Sequence, residues 1–462
     1  MRILLVKPPL ISDAVQPSLG LASLAASLPA EHEVAILDGV LGPFSGPQLA
    51  RRLLDRRPDL IGFQCLTADV RTVRALAGIV RRSLPDAAVV VGGPHPSALD
   101  DGGLSELGPE VDFAFRGEAE PGLPGLVAAL AAGDRSARRL SRIPGLVYRG
   151  PDNRVRANAP RRADLNRLPL PRWDLVQPER YPPSPNAAFF ERWPCAPIVT
   201  SRGCPYDCAF CAASTVAGRK VRYRPLDSVL DEIALLRSRG VREIHLEDDN
   251  FTFDRDYALG FTEAVARRFP GLSWACPNGA RLQSLDDELL ALMRRGGCHS
   301  IGLGIESGSQ RILERIGKGQ SLEEVRQAVH RVHRAGIGAV GFFILGLPGE
   351  TRDDVEATIR LALELPLRRA NFMLFSPFPG TRLWTELGES RADPMAKSFA
   401  EVGHVPEGWT AAELKTAQRR AFLRFYLRPR AAASLIADVR SVRHAYWIGR
   451  RMLRWMVPQP WP

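Results

Sequence analysis

The chain has 462 residues, 45% of them hydrophobic and 24% charged, with a net charge of +11. That length exceeds one ordinary domain and predicts two or three, each with a full core. The longest uncharged run, residues 14–30, is broken by Pro17, Pro29 and three serines, which excludes a membrane span there, and the start lacks the apolar core of a signal peptide. A cytoplasmic location is therefore expected, and reduced cysteines suit it.

Residues 1–133 alternate strand and helix signals. Apolar runs at 3–6, 34–37, 60–65, 89–91 and 112–115 read as buried parallel strands, with helices at 19–28, 48–56, 70–84 and 123–131 between them. This predicts a doubly wound, Rossmann-like α/β domain over 1–134, with its ligand face at the carboxyl ends of the strands. Residues 135–197 read as a linker: a small hairpin at 145–150 and 154–158, then a proline-rich extended strap. From Ile198 the alternation resumes, with strands expected at 198–200, 243–247, 272–276, 300–305, 340–345 and 371–375. Helices are expected at 226–237, 257–269, 286–295, 322–335 and 353–363. Six such repeats over 198–400 predict a partial (β/α)6 barrel with its chemistry at the C-terminal strand ends.

Residues 401–462 read as a basic helical extension. Thr410 and Glu413 have capping-box spacing, and Phe425-Tyr426-Leu-Arg-Pro429 ends the helix they start. A second stretch, 431–455, mixes arginine with Leu, Ile, Trp and Tyr. Residues 419–454 hold ten arginines and one acid, Asp438, so the positive excess is largely a property of this tail. Nucleic acid is not expected as a partner. The stretch resembles an interfacial helix that could touch anionic lipid at the inner membrane face, and the plainer reading is a solvated basic face that packs Trp447 and Trp455 on the barrel.

The strongest chemical signal is Cys204-Pro-Tyr-Asp-Cys208-Ala-Phe-Cys211. With 7 cysteines in the chain, random scatter produces this spacing roughly 0.002 times per chain. Three thiolates spaced CxxxCxxC can hold three irons of a 4Fe–4S cluster and leave the fourth open to a small molecule. A zinc knuckle would need a fourth ligand close by. The next histidine is His245, and Cys195 stands nine residues upstream without a paired motif. The remaining cysteines, 65, 195, 276 and 298, read as small core residues.

With an aromatic, Phe210, before its last cysteine, this string resembles the cluster motif of the radical S-adenosylmethionine (SAM) enzymes. The resemblance implies that Cys204, Cys208 and Cys211 are the metal-binding and catalytic residues, and that the open iron takes SAM. It carries the SAM contacts to Phe210, Asp248, Asp249, Arg281, Glu306, Ser307 and Gly346. The segment Glu247-Asp248-Asp249-Asn250 would meet the methionine amino group, Glu306 the ribose or methionine part, and the fifth strand would flank the adenine.

The N-terminal segments PPLxxxxxxPSLGLASLAASL, Pro58-Asp59-Leu60-Ile61-Gly62-Phe63, Gly92-Gly93-Pro94-His95-Pro96 and Arg116-Gly117-Glu118-Ala119-Glu120 resemble the cobalamin-binding domain of one large radical SAM subgroup. Cobalamin contacts are then expected at Pro9, Leu19, Gly20 and Asp38, at Thr67, Gly92, Gly93 and His95, and at Gly117 and Glu118. The DxHxxG pattern of many cobalamin domains is absent: Val40 occupies the histidine position and Pro43 the last glycine. His95 could substitute as cobalt ligand, although a histidine in a Gly-Pro turn is more often structural.

The two resemblances together imply three cofactors: a 4Fe–4S cluster, SAM and cobalamin. They imply a class B methyltransferase acting on an unactivated carbon, through a 5′-deoxyadenosyl radical and methylcobalamin. The alternative is a ring-forming cyclase of the anaerobic magnesium-protoporphyrin monomethyl ester cyclase type, which the domain order and the 425–429 segment also resemble. A tRNA methylthiotransferase would need three more cysteines in its first domain, where this chain has only Cys65. A non-catalytic basic interaction protein with a structural metal would not cleave SAM. The expected partners are a small-molecule, lipid or tetrapyrrole substrate and a reductant such as flavodoxin or ferredoxin.

Overall fold

The computed structural model describes residues 1–9, 15–184, 189–388 and 402–456, the last helix without the side chains of residues 451 and 454–456. Among the described residues fifteen strands run in chain order: β1 Arg2–Lys7, β2 Glu33–Asp38, β3 Leu60–Gln64, β4 Ala88–Gly92, β5 Phe113–Phe115, β6 Leu146–Arg149, β7 Val155–Ala157, β8 Cys195–Ile198, β9 Ser201–Arg202, β10 Arg222–Tyr223, β11 Glu243–Leu246, β12 Ser273–Ala280, β13 Cys298–Glu306, β14 Gly338–Leu345 and β15 Arg369–Leu374.

The first sheet has the order β2-β1-β3-β4-β5-β6-β7. Its first five strands are parallel, and alternate side chains feed two cores. Leu4, Val6, Ile61 and Val89 face the helices Gly46–Arg56 and Val70–Ser83. Ile3, Leu5, Leu60 and Val90 face Leu19–Ser27 and Leu123–Ala131. The hairpin expected in the linker is not free-standing. β6 and β7 extend this sheet antiparallel from β5, because the three-residue β5 would otherwise leave Val147 and Tyr148 without a core. The sheet of the first domain thus reaches residue 157, beyond the expected boundary at 134.

The strap is more than an extended passage. It contains the short helix Trp173–Val176 and a 3-10 turn, Pro178–Arg180. Trp173 enters the barrel core, where its indole N–H donates to Glu232 at 3.0 Å. Tyr181 donates its hydroxyl to Asp38 at 2.6 Å. One segment therefore fastens to both domains.

The second sheet, β8-β11-β12-β13-β14-β15, is parallel throughout and forms the partial barrel. Its helices are Leu226–Ser238, Arg255–Arg268, Asp287–Arg295, Leu322–Arg334 and Arg352–Glu364. The first strand lies three residues earlier than expected, since Cys195 pairs with Glu243 and Ile198 with Leu246. Thr200 has left the ladder and bonds Asp248 instead.

The tail closes the barrel's far edge. Helix Ala411–Tyr426 starts at the expected capping box of Thr410 and Glu413. Gln418 donates to the carbonyl of Phe372 at 2.8 Å, and the Tyr426 hydroxyl bonds both the carbonyl and the N–H of Ala370. The single stretch expected over 431–455 is two helices, Pro429–Ala437 and Val442–Met456. Asp438, at the break, is drawn to Arg368 and Arg369. Trp447 is half-buried, while the Trp455 side chain and the expected boundary at 400–401 lie outside the described residues. No helix among the described residues is long and apolar enough to cross a membrane.

Candidate functional site

The three cysteines sit on the loop 203–221, closed at its base by the two-stranded ribbon of β9 and β10. Mid-loop, the Ala209 N–H donates to Ile316 at 2.8 Å and its carbonyl accepts from Leu383 at 2.9 Å, which seats the loop on Ile312, Leu313 and Phe375. Cys204, Cys208 and Cys211 all line one cavity of about 280 Å³ at the C-terminal end of the barrel. Cys211 opens toward the cavity, but protein on its other sides and the two neighbouring thiols push it up to about 11. Burial likewise raises Cys204. Thiols raised in this way stay protonated unless a cation joins them.

The cation already present is Lys318, which sequence reasoning missed. Its Nζ donates to Glu306 Oε1 at 2.7 Å and stands 5.8 Å from the Phe210 ring centroid. Glu306, at the end of β13, is held at φ 67°, an uncommon conformation for a non-glycine residue. A Cβ on Gly304 would come within 2.5 Å of Glu306 Oε1 and 2.7 Å of Lys318 Nζ, so the glycine makes room for this pair. The signal for Lys318 lay in the turn Gly317-Lys318-Gly319-Gln320, where two glycines expose whatever stands between them.

The expected SAM contacts separate into two groups. Phe210, Asp249, Arg281 and Glu306 line the cavity. Asp248 does not: it is buried behind the wall and accepts from Thr200 N, Thr200 Oγ1 and Ser201 Oγ, with burial pushing it up to about 6. Glu247 turns the other way and accepts from Gln16 of the first domain at 3.0 Å. Successive residues beyond β11 thus point in different directions, as strand alternation requires. Ser307 is fully buried, 3.3 Å from Thr358 Oγ1. Gly346, just past β14, packs on Leu414 and donates its N–H to Glu350, while Phe342 and Ile344 of β14 do reach the cavity. Arg281 braces: its guanidinium lies 3.6 Å from the Tyr206 ring centroid and donates to the carbonyls of Lys318 and Gly319.

The expected cobalamin contacts gather at the strand ends of the first sheet, and several are already engaged. His95 is fully buried, with Nε2 2.9 Å from Glu106 and Nδ1 3.4 Å from Thr67 Oγ1. Both ring nitrogens thus lie beside protein groups, away from the open strand-end face. Asp38 accepts from Tyr181 and from Val40 N. Glu118 accepts from Ala163 N at 2.6 Å and from Arg222, and pairs with Arg202 at 3.5 Å. It is therefore a link between domains. Leu19 packs against the barrel core, and Pro9 touches the backbone of Gly39. Gly93, at φ 113°, packs on Cys65, and the Gly117 N–H donates to Ser97. Gly20 and Gly92 leave the space above them open, with no atom nearer than 3.9 Å to an added Cβ.

This strand-end face meets the cysteine loop. A Cβ on Gly380 of the barrel would lie 3.2 Å from Ala98, and one on Gly117 would lie 3.6 Å from the Val216 carbonyl.

The radical SAM superfamily model matches residues 198–362, and the B12 binding domain model matches 12–127. An uncharacterised methyltransferase of Pyrococcus horikoshii is 32% identical over 98% of this chain and 97% of its own length. The chain belongs to the radical SAM enzymes that carry a B12-binding domain. The cofactors of this radical SAM enzyme are accordingly a 4Fe–4S cluster, SAM and cobalamin. Cytidylyl-2-hydroxyethylphosphonate methyltransferase of Streptomyces wedmorensis is 30% identical, over 77% of this chain and 73% of its own. The anaerobic magnesium-protoporphyrin IX monomethyl ester cyclase of Rubrivivax gelatinosus is 29% identical, over 84% and 70%. Among solved structures, the radical SAM methyltransferase TsrM of Kitasatospora setae, with cobalamin and its cluster bound, shares the fold at TM-score 0.72 and 19% identity over 98% of both chains.

The cavity of the radical SAM enzyme fits a polar ligand. Asn250 Nδ2, Gln320 Oε1 and Ser376 Oγ are buried in its wall without a hydrogen-bond partner among the described residues. Buried polar groups are rarely left so. They offer a donor, an acceptor and a hydroxyl opposite an apolar wall that includes Phe342, Ile344 and Met373.

Proposed function

We propose that the protein is a cobalamin-dependent radical SAM methyltransferase that places a methyl group on an unactivated carbon. The observation that carries this reading is the apposition of the cysteine loop to the strand ends of the B12-binding domain, at Gly117, Ala98 and Gly380. A substrate carbon held there is within reach of both halves. The bound cofactors supply reductive cleavage of SAM and a transferable methyl group.

Within this reading Cys204, Cys208 and Cys211 hold the cluster. Lys318 offsets the thiolate charge and fixes Glu306. Asp249 and Glu306 accept from SAM's ammonium and ribose hydroxyls, while the orphaned atoms of Asn250, Gln320 and Ser376 take its remaining polar groups. Phe342 and Ile344 flank the adenine, and with Met373 they form an apolar wall beside it. Val40 and the enclosed His95 supply no accessible imidazole, so the corrin is held without a protein histidine from either position.

The partners follow from the same reading: a small-molecule substrate, an electron donor of the flavodoxin or ferredoxin kind, and an anionic lipid surface for the tail. Val442, Tyr446 and Leu453 stand exposed on helix Val442–Met456 beside Arg443 and Arg450, which suits a helix lying in a membrane interface.

The test is anaerobic preparation with added cobalamin, followed by corrin, iron and sulfide analysis. About one corrin and four irons per chain are expected. Incubation with methyl-deuterated SAM and cell extract is then expected to yield a deuterium-labelled product. Four irons without corrin overturn the reading. Cyclase relatives such as that of Rubrivivax gelatinosus support a second reading, ring closure, which predicts SAM cleavage with unlabelled product.

A further inference from the structure

The opposite end of the barrel holds a group of side chains with no part in the chemistry above. Cys195 opens β8, Glu243 opens β11, His245 stands two residues on, and His299 is the second residue of β13. All four are at most 5% exposed. Glu243 Oε1 lies 2.8 Å from His245 Nε2 and 2.9 Å from His299 Nε2. One ligand atom each from Cys195, Glu243 and His245 falls within 4.8 Å of the other two. The second carboxylate oxygen is fixed from behind, accepting from Glu191 N at 2.8 Å and Arg192 N at 2.7 Å. The Cys195 thiol donates to the Arg192 carbonyl at 3.1 Å.

We propose that Cys195, Glu243, His245 and His299 form a second, structural metal site, of a donor set that selects zinc. The two imidazoles converge on the one carboxylate oxygen that no backbone group holds; Cys195, Glu243 and His245 are already gathered, and His299 completes the set by moving in from its place beside Glu243. A thiolate, a carboxylate and two neutral imidazoles carry two negative charges, so a divalent zinc ion makes the buried group neutral. No lysine or arginine pairs with Glu243 among the described residues. The observed N···O spacings are those of the metal-free hydrogen-bonded arrangement, and tetrahedral zinc requires the ligands to part by about 0.5 Å. A soft sulfur and two imidazoles disfavour calcium and magnesium. The Glu243 carboxylate is oriented by two backbone N–H groups, the kind of outer support that metal ligands use. Four ligands leave no open position, so the site pins β8, β11 and β13 to the end of the strap and takes no part in turnover.

The test uses the full-length holoenzyme, grown with zinc in the medium and washed briefly with chelator. About one zinc per chain is expected beside the cluster iron, with X-ray absorption at the zinc edge showing one sulfur and three nitrogen or oxygen neighbours. Cys195→Ser and His299→Asn are each expected to lower zinc at least about fivefold without lowering iron. Zinc below about 0.1 per chain overturns the proposal, as does a shell of two or three sulfurs, which would place zinc on the cluster cysteines. Zinc undiminished in both variants overturns it equally. The absorption spectrum of the unmutated protein decides the matter even where a variant fails to fold.

Discussion

Lys318 and Glu306 form a pair in which each partner's removal exposes the other. Lys318→Met leaves the Glu306 carboxylate buried and uncompensated and takes the only cation from beside Cys208 and Cys211 among the described contacts. We expect iron and sulfide to stay at wild-type levels while SAM binding, measured by anaerobic equilibrium dialysis, weakens by at least about tenfold, or 1.4 kcal/mol. Lys318→Arg should recover part of that loss. Glu350 gives a pH-dependent case. Burial pushes its carboxyl up to about 8 from an ordinary value of 4.5, against the opposing N–H groups of Gly346 and Leu347. The folded form therefore binds a proton that the unfolded chain releases, and stability falls as pH rises through the interval from 4.5 to 8. Glu350→Gln keeps a carbonyl for those N–H groups and removes the titration. Its melting temperature should exceed that of the parent by roughly 2–4 °C at pH 9 and match it near pH 5. At this scale the sequence was legible where chemistry was dense. The cysteines, Phe210, Asp249 and Glu306 are signalled by motif and strand end. Asp248 and Ser307 lie behind the cavity wall, since a motif does not reveal which of two adjacent residues faces inward, and Lys318 was missed because its turn follows no strand.

The ribbon of β9 and β10 is the element through which the two domains act on the cysteine loop. Glu118 grips both strands, through Arg202 and Arg222, from the end of β5. Glu118→Ala leaves the half-buried Arg222 without its carboxylate, while Arg202 keeps Glu120 at 2.8 Å, so the ribbon loosens without losing both anchors. We expect SAM cleavage to continue while labelled product per SAM cleaved falls more than about tenfold, because a misplacement of about 1 Å between the halves suffices for such a loss. Equal loss of both activities would instead indicate collapse of the loop. Periodicity revealed the long strands and amphipathic helices, whose apolar pattern is set locally. It could not reveal the ribbon, whose strands are two residues each, nor that β6 and β7 join the first sheet, since pairing partners are chosen by what core remains uncovered. The register of β8 was equally hidden: Thr200 reads as strand, but Asp248 takes both its N–H and its hydroxyl.

Across the molecule, charge is unevenly distributed. Some tail arginines are tied to the barrel, Arg420 and Arg424 to Glu356 at 2.9 and 2.5 Å, while Arg443 and Arg450 stand exposed beside Tyr446. Each arginine near an anionic surface contributes about 1 kcal/mol, so Arg443→Ala with Arg450→Ala should weaken binding to phosphatidylglycerol vesicles roughly thirtyfold. Neutral phosphatidylcholine vesicles should bind neither form, and cosedimentation checks both. Binding unchanged by the double substitution would remove the tail from any membrane role. The helix before these arginines has another consequence. β15 is the last strand of an open parallel sheet, and Gln418 and Tyr426 occupy the peptide groups of Phe372 and Ala370 on its outer side. Two side chains thus do what a seventh strand would do. Without helix Ala411–Tyr426 that edge is a template for a foreign strand, so the tail guards the barrel against stacking with its own copies.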